Sequence, residues 1–320
     1  MITWGIVANS HDASIGVFDE DTPVWAGMAK DFSGKPNDAH LNWQMIQHIR
    51  INEGLRPDRI VWYEYPRLKG LRQWWAGQGL NWKENNIPKY LSQWNIYQPI
   101  EYTKHHLSHA AYGYYTSGLK DASIFVADSI GEFECLTIWK GEGDKLTKVF
   151  SQSYPHSLGL FYSAMTQRCG LEPNKDEYKM YELGRGHRNQ KIIKSLVKDM
   201  IYIHKDKWPK IKFKLNLHKG ARHWRPEITN VGSIAYATQW LFEESLKIYT
   251  KAMKDNLPSN NLIVMGGCAL NKQAIEVIKP KWDKVWIPPN PGDPGSCIGA
   301  VLAKGKKHID FNPKIWYNSK

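Results

Sequence analysis

Two histidines four residues apart, His105 and His109, are the side chains in this sequence best spaced to act together. They lie in an alanine-rich stretch, residues 104–112, that predicts the start of a helix, and positions four apart share one helix face. Two neutral imidazoles on one face can bind a divalent metal ion. The same spacing is also common on helix surfaces and in hydrogen-bonded cores, so the pair alone leaves both interpretations open.

A metal ion here would need more than two ligands, and two aspartates are candidates. Asp128 ends the apolar run of residues 124–127, and Asp293 lies in the glycine-rich turn of residues 291–295. Carboxylates at the ends of strands and in loops can reach a site shared with a distant helix, and they complete many metal sites.

Two turns could bind a phosphate or acyl group. The first strand, residues 2–8, a polar turn and a returning strand predict an antiparallel hairpin with His11 in its turn. Further on, the strand at 262–265, the pair Gly266-Gly267 and a helix would present free backbone amides at a cleft. On these residues alone, a turn histidine at the surface is the better explanation of His11, and a Gly-Gly turn is weak evidence for a ligand site.

The order of predicted elements indicates a duplicated fold. Residues 122–150 repeat the strand, turn, strand and strand that open the chain, which predicts two α/β lobes. We expect an N-terminal lobe at 1–118, a C-terminal lobe at 119–304 and a tail at 305–320. The apolar periodicity also predicts helices at 39–55, 157–170, 178–183, 191–204 and 231–254, and residues 67–96 are predicted to form an irregular insertion.

Composition excludes several classes of protein. The chain has 320 residues, of which 42% are hydrophobic and 23% charged, as in ordinary globular proteins. It has no apolar run of 18 residues, which argues against a membrane span, and it opens on a strand instead of a signal peptide. Its four cysteines are widely spaced, as in proteins with reduced thiols. We therefore expect a cytoplasmic protein without a membrane partner.

The net charge of +12 suits a polyanionic partner, from a nucleotide to a nucleic acid, but a solvated basic face would give the same value. Several of the 15 tryptophans stand beside basic residues, as around residues 72–75, 81–83 and 223–225. Interleaved aromatic and basic residues bind single-stranded nucleic acids, although a buried core is the commoner place for tryptophan. The basic stretch 205–225 is open to the same two interpretations.

Taken together, these segments resemble the NodU/CmcH family of O-carbamoyltransferases from residue 5 to about residue 303. Their order and spacing make the resemblance specific. The matching segments are His11-Asp12-Ala13-Ser14, His105-His106 with His109-Ala110-Ala111, Asp128 with Gly131-Glu132, residues 155–163, Glu177-Tyr178-Lys179, Gly266-Gly267 with Ala269-Leu270-Asn271, and Gly292-Asp293 with Gly295 and Gly299-Ala300.

The resemblance implies an actin-like and sugar-kinase-like fold, the duplicated ribonuclease H-like architecture, with the active site between two lobes. It implies a metal ion bound by His105, His109, Asp128 and Asp293. Fe²⁺ is the first expectation, with Zn²⁺, Mn²⁺ and Mg²⁺ as alternatives. The family's general base corresponds to His11.

For the nucleotide, the resemblance implies a site for ATP or carbamoyl adenylate. Gly266, Gly267 and Asn271 would surround it. The residues expected to line the same cleft are Gly131, Glu177 and Lys179. A looser match makes Lys35 a contact for the carbamoyl or phosphate group.

Family members usually carry a second, YrdC-like domain, which makes carbamoyl adenylate from ATP and carbamoyl phosphate, and this sequence ends before such a domain. We therefore expect a separate YrdC-like partner; another activation route and a loss of catalysis are the alternatives. The expected acceptor is a hydroxyl group on a hydroxymethylated nucleotide or DNA base, or on a sugar-like small molecule. A homodimer is left open.

Two other functions compete with this one. Threonylcarbamoyl transfer to tRNA uses a similar fold and the same histidine spacing, but the turn at 292–295 looks more like that of the O-carbamoyltransferases. A non-catalytic nucleotide- or nucleic-acid-binding protein is the other alternative. The presence of His11 and of all four metal-ligand candidates argues against it.

Overall fold

The computed structural model describes residues 1–10, 12–79 and 85–317, and within them twelve strands form three sheets. Two of these sheets are mixed and have five strands each, and the third is a two-stranded hairpin. The strands are β1 Ile2–Val7, β2 Ser14–Asp19, β3 Thr22–Met28, β4 Arg59–Trp62, β5 Ile100–Tyr102, β6 Asp121–Ala127, β7 Glu134–Glu142, β8 Lys145–Ser153, β9 Ile201–His204, β10 Lys210–Phe213, β11 Asn261–Met265 and β12 Lys284–Trp286.

The two large sheets have the same topology. The first has the order β3-β2-β1-β4-β5 and the second the order β12-β11-β6-β7-β8. In each sheet the first three strands pair antiparallel, and the next two add in parallel beside the first. The predicted duplication of an α/β unit is confirmed by this repeated strand order.

Helices cover the sheets and connect them, because parallel strands need crossover connections. The α-helices are α1 Lys30–Ser33, α2 Trp43–Gln47, α3 Pro66–Trp75, α4 Ile87–Ser92, α5 His105–Tyr115, α6 Leu158–Arg168, α7 Lys179–Gly184, α8 Gln190–Met200, α9 Val231–Asn256, α10 Lys272–Ile278 and α11 Ser296–Gly305.

Each large sheet has its own hydrophobic core. The last helix, α11, packs on β1 and contributes Cys297, Ile298 and Ala300 to the core of the first sheet. The chain therefore returns to the first lobe after completing the second. The lobe boundaries at residues 118 and 304 stay a prediction.

Helix α5 lies between the two lobes and is buried along almost its whole length. It packs closely against α11, where a Cβ atom on Gly299 would lie 1.9 Å from the carbonyl oxygen of Ser108. On its other side, a Cβ atom on Gly113 would meet Ile263 and Met265 at 2.6–2.8 Å. Small residues thus allow α5 to approach both neighbours, and this packing places its N-terminal histidines at the centre of the molecule.

Three secondary-structure predictions were wrong in part. The irregular insertion at 67–96 contains helices α3 and α4, although its residues 80–84, with the Trp82-Lys83 pair, lie outside the described residues. The predicted helix 191–204 ends at Met200 and continues as β9, which pairs with β10. The predicted helix 39–55 is a short α-helix followed by a π-helical turn, His48–Asn52.

Among the described residues, no helix is both long enough and apolar enough to cross a membrane.

We expect Gly299→Ala to lower the free energy of unfolding by about 3 kcal/mol, because the added methyl group has to push α11 away from α5. Gly305→Ala is the matched control in the same helix, since a Cβ atom there meets nothing within 4 Å. Urea unfolding of both variants gives the comparison. Equal stability of the two variants would contradict the tight α5–α11 contact.

Candidate metal centre

Four side chains from three distant parts of the chain meet at one point. The ligand atoms of His105, His109, Asp128 and Asp293 all lie within 4.8 Å of one another. The two histidine Nε2 atoms are 3.1 Å apart, and Asp128 Oδ2 lies 3.4 Å from that of His105 and 3.2 Å from that of His109. Asp293 Oδ1 lies 3.4 Å from each of these nitrogens.

The fold positions each of the four side chains. The histidines occupy the first and second turns of α5, and Asp128 follows the last residue of β6. Asp293 begins a 3-10 turn that leads directly into α11. The four side chains therefore come together only because α5, β6 and α11 pack against one another.

The carboxylate oxygens that face away from the centre are held by hydrogen bonds. Asp128 Oδ1 accepts from the backbone N–H of Ser129 at 2.7 Å, and Asp293 Oδ2 accepts from Ser10 Oγ at 2.5 Å. His109 Nδ1 lies 3.3 Å from Ser296 Oγ. Such outer contacts orient the remaining oxygen or nitrogen toward a shared centre, as they do around bound metal ions.

The centre is buried and requires positive charge. Burial alone would lower the pKa of His105, but Asp293 and Asp128 outweigh it and raise that pKa to about 10. Burial likewise opposes protonation of His109, yet hydrogen bonds to the same two aspartates raise its pKa. The pKa of Asp128 is held well below its usual value, despite burial, by the two histidines. The carboxylates thus attract a cation between them.

A divalent metal ion fits this donor set. Metal bonds to imidazole nitrogen and carboxylate oxygen of about 2.0–2.2 Å place neighbouring ligands about 3.0–3.5 Å apart, which is the spacing observed here. Two imidazoles with two carboxylates suit borderline cations such as Fe²⁺, Mn²⁺ and Zn²⁺.

Glu132 was missed as an individual site residue, although it belongs to one of the matching motifs. Its buried carboxylate accepts hydrogen bonds from the backbone N–H groups of His105, at 3.1 and 3.3 Å, and of Tyr65, at 3.0 Å. It therefore caps the N-terminus of α5, where a negative charge is favourable. Burial raises the pKa of this carboxyl group.

A second missed group joins the first hairpin to helix α3. Lys69 Nζ donates to Glu64 Oε1 at 2.7 Å and to the backbone carbonyl of Asn9 at 3.2 Å, and both charged side chains are largely buried. Ser10 follows Asn9 and reaches Asp293, so this ion pair supports the turn that approaches the metal centre. Single, widely separated polar residues gave no pattern that would have identified it.

Of the two predicted catalytic residues, the structure describes only Lys35, and the catalytic roles of both stay predictions. His11 lies outside the described residues, between Ser10 and Asp12. Lys35 is exposed in the loop after α1, and its backbone N–H donates to Ser33 Oγ at 3.2 Å. Lys30, which was not predicted to be a site residue, forms an ion pair of 3.4 Å with Asp12 beside the hairpin turn.

The predicted glycine turn lies directly against the metal centre. Gly266 has a φ of 87°, and a Cβ atom there would lie 2.2 Å from the carbonyl oxygen of Ala127. A Cβ atom on Gly267 would lie 3.0 Å from Asp128 Oδ1, and one on Gly131 would press on the rings of His105 and His106. A side chain at any of these positions would therefore crowd Ala127, Asp128 or the histidine rings, which explains why all three are glycine.

The other predicted nucleotide residues lie in the second lobe. Asn271 caps α10 through the N–H of Ala274, at 3.1 Å, and pairs its side-chain amide with Gln239. Glu177 accepts from Ser163 Oγ at 2.7 Å, and Lys179 pairs with Asp176 on the surface. Their contact with a nucleotide stays a prediction.

Comparison with known proteins identifies the family. The chain matches the model of the carbamoyltransferase N-terminus over residues 69–302, and it belongs to this family. An uncharacterized protein of Synechocystis is 26% identical over 95% of this chain and 57% of its own length. Nodulation protein U of Rhizobium tropici is 38% identical over 20% of this chain and 12% of its own length.

The solved structures confirm the predicted fold class. Full-length HypF, in a phosphate- and nucleotide-bound form, aligns with 95% of this chain and 55% of its own, with a TM-score of 0.57 at 11% identity. This likeness supports the two-lobed, actin-like architecture. The chain spans little more than half the length of the Synechocystis relative, which it matches over most of its own residues.

We expect Glu132→Ala to lower the free energy of unfolding by about 3 kcal/mol, because it leaves buried N–H groups at the start of α5 without an acceptor. Glu142→Ala removes an exposed carboxylate that pairs with Lys140 and should cost less than about 1 kcal/mol. Urea unfolding measures both variants. A similar loss in the two would show that Glu132 does not anchor the helix.

Proposed function

We propose that this chain catalyses metal-dependent transfer of a carbamoyl group to a hydroxyl acceptor. The observation that carries the proposal is the convergence of His105, His109, Asp128 and Asp293 in a chain of the carbamoyltransferase family. The four side chains come from both lobes, so the centre lies where a substrate bound between the lobes would meet it.

The four convergent side chains would hold one divalent cation, with Fe²⁺ as the first candidate. When bound, this ion supplies Lewis-acid polarisation of the carbamoyl carbonyl or of the donor's phosphate. Ser10, Ser129 and Ser296 keep the ligands oriented through their hydrogen bonds.

The donor in this proposal is carbamoyl adenylate, made from ATP and carbamoyl phosphate by a YrdC-like domain or partner. Its adenylate part would lie along the turn of Gly266 and Gly267, which adjoins Asp128 and carries no side chain that could block a ligand. Binding of phosphate and nucleotide by HypF, which shares the fold, supports a nucleotide in this cleft. The same cleft would also be lined by Gly131, Glu177, Lys179 and Asn271.

In the transfer step, His11 takes the proton from the acceptor hydroxyl, work that suits an imidazole near neutral pH. The acceptor oxygen bonds to the carbamoyl carbon, and the bond from that carbon to the phosphate oxygen breaks. AMP leaves with the electron pair of the broken bond. The contacts of Ser10 with Asp293 and of Lys69 with Asn9 hold the two residues that precede His11 in the sequence.

For the acceptor, we propose a hydroxymethylated nucleotide or DNA base, on the strength of the +12 charge and the basic residues beside tryptophans. A sugar-like small molecule is the alternative acceptor. Mass spectrometry of reactions containing ATP, carbamoyl phosphate, a YrdC-like protein and each acceptor tests the proposal. Addition of one carbamoyl group to an acceptor is expected, and no product with any acceptor would contradict the proposal. A threonylcarbamoyl product in parallel reactions that contain tRNA, threonine and bicarbonate in place of carbamoyl phosphate and the acceptor would contradict it as well.

We expect His109→Ala and Asp293→Asn each to weaken binding of Mn²⁺ or Fe²⁺ at least about a hundredfold, because each removes one of four ligands. His40→Ala and Asp310→Asn are the matched controls, since both replace exposed side chains outside the centre. Isothermal titration under anaerobic conditions measures the affinities. Unchanged binding in the two site variants would exclude these residues as ligands.

We expect His11→Ala to reduce carbamoyl transfer by about 10²–10⁴-fold without weakening nucleotide binding, because only proton removal is lost. Rates come from the same mass-spectrometric assay, and nucleotide affinity from equilibrium binding. His40→Ala provides the control for loss of a histidine. Retained turnover in His11→Ala would remove the assignment of His11 as the base.

A further inference from the structure

The basic stretch of the sequence forms a surface that the proposed reaction does not use. Residues 205–225 contain eight basic residues and one acidic residue, Asp206. In the part of the chain that the structure describes, Arg225 is the only one of the eight that forms an ion pair with a carboxylate. The seven basic residues without such a partner are Lys205, Lys207, Lys210, Lys212, Lys214, Lys219 and Arg222.

Part of this surface is an open groove with a volume of about 810 Å³. Lys219, Arg222 and His223 line it together with Asn216 and Gln167. The groove also contains one carboxylate, Asp199, but Arg225 and the indole N–H of Trp224 already donate to it at 2.7 and 3.2 Å. The charge that remains for a ligand is therefore positive.

The groove has a rigid wall. The guanidinium of Arg168 donates to three backbone carbonyls in the loop at residues 224–228. These are the carbonyls of Trp224, Arg225 and Ile228, at 2.6, 2.8 and 2.9 Å. These bonds hold the backbone of the loop in place, while Lys219 and Arg222 remain exposed to solvent. A preorganised backbone that carries unpaired cations lowers the cost of ordering when an anion binds.

An exposed tryptophan, Trp75, is linked through two ring contacts to the turn that carries Lys219. Trp75, at the end of α3, is 60% exposed, and its ring packs edge-on against Tyr154 with centroids 5.6 Å apart. Tyr154 in turn contacts the ring of His218, at 5.9 Å, in the turn that also contains Lys219. The neighbouring Trp74 is 59% exposed. Unstacked bases can therefore find aromatic faces next to the cations.

Helix α3 connects this groove with the metal centre. Arg72 Nε donates to the backbone carbonyl of Glu132 at 3.3 Å, and its guanidinium also donates to Gln78 Oε1 at 2.9 Å. Gln78 Nε2 lies 2.8 Å from His218 Nε2. Since His218 precedes Lys219, these contacts join the turn at the groove to the backbone of Glu132 beside the metal centre.

We propose that the groove binds the phosphate backbone of a single-stranded nucleic acid, with a base stacking on Trp75. Cations without carboxylate partners, interleaved with exposed rings, are the combination that binds single strands irrespective of sequence. If the proposed transfer reaction holds, the groove is the dock for a polynucleotide acceptor. The binding itself does not depend on that reaction.

The test is fluorescence anisotropy with a labelled poly(dT) strand of about 20 nucleotides, measured over a range of salt concentrations. The double variant Lys219→Ala/Arg222→Ala is compared with Lys281→Ala/Lys284→Ala, which removes two exposed lysines near β12. The control lysines lie at the opposite edge of the second sheet, because β12 forms one edge of that sheet and β8 the other. The basic hairpin β9–β10 lies on the β8 side, where Gln152 Oε1 accepts from the N–H of Ile211 at 3.1 Å.

We expect the groove variant to bind about tenfold more weakly and its salt slope to fall by about 1.4, because two phosphate contacts are lost. The control should match the unmodified chain in both quantities. Trp75→Ala should weaken binding of poly(dT) about tenfold and leave binding of inorganic polyphosphate unchanged. Thermal melting confirms that each variant is folded.

No binding by the unmodified chain, or equal losses in the groove and control variants, would overturn the proposal. Equal effects of Trp75→Ala on poly(dT) and polyphosphate would overturn the assignment to nucleic acid. Because the assay contains neither ATP nor carbamoyl phosphate, its result is independent of whether carbamoyl transfer is found.

Discussion

The balance of charge at one buried point is the constraint on which this structure depends. Two aspartates and two histidines face one another between the lobes, where burial makes an unbalanced charge cost several kcal/mol. Despite the burial of His105 and His109, the two aspartates raise the pKa values of these histidines and so favour protons on them. A divalent cation would supply the same charge and would compete with those protons. The centre therefore links ion binding to the packing of α5, β6 and α11.

The surrounding fold keeps those three elements together. Helix α5 has neighbours on both sides, and glycines at the contacts allow backbones to approach where side chains would not fit. Glu132 holds the start of this helix, and Lys69 holds the hairpin turn from which Ser10 reaches Asp293. The groove near Lys219 and Arg222 is joined to the same framework through α3. The proposed carbamoyl transfer and the proposed binding of nucleic acid would then use two surfaces of the same fold, the metal centre and the groove.

The sequence singled out His105, His109, Asp128 and Asp293 through local patterns, a histidine spacing and a strand end, and through the family resemblance, and the structure brings these four side chains together. It missed Glu132 as an anchor because that contact joins residues 27 positions apart through backbone N–H groups. Helix α3 was missed because its tryptophans and glycine obscure the helical period. Strand β9 was read as helix because Ile201 continues the apolar pattern of α8, and only pairing with β10 ends it. Local patterns carry no information about such distant partners.

The central claim is that His105, His109, Asp128 and Asp293 bind one metal ion. Crystals grown anaerobically with Fe²⁺ and measured on both sides of the iron absorption edge would test it most directly. If the four residues bind iron, we expect one anomalous difference peak between their side chains, at about 2.0–2.2 Å from both Nε2 atoms and from an oxygen of each aspartate. A fully occupied iron peak elsewhere, or a centre in which the four side chains contact only one another, would contradict it.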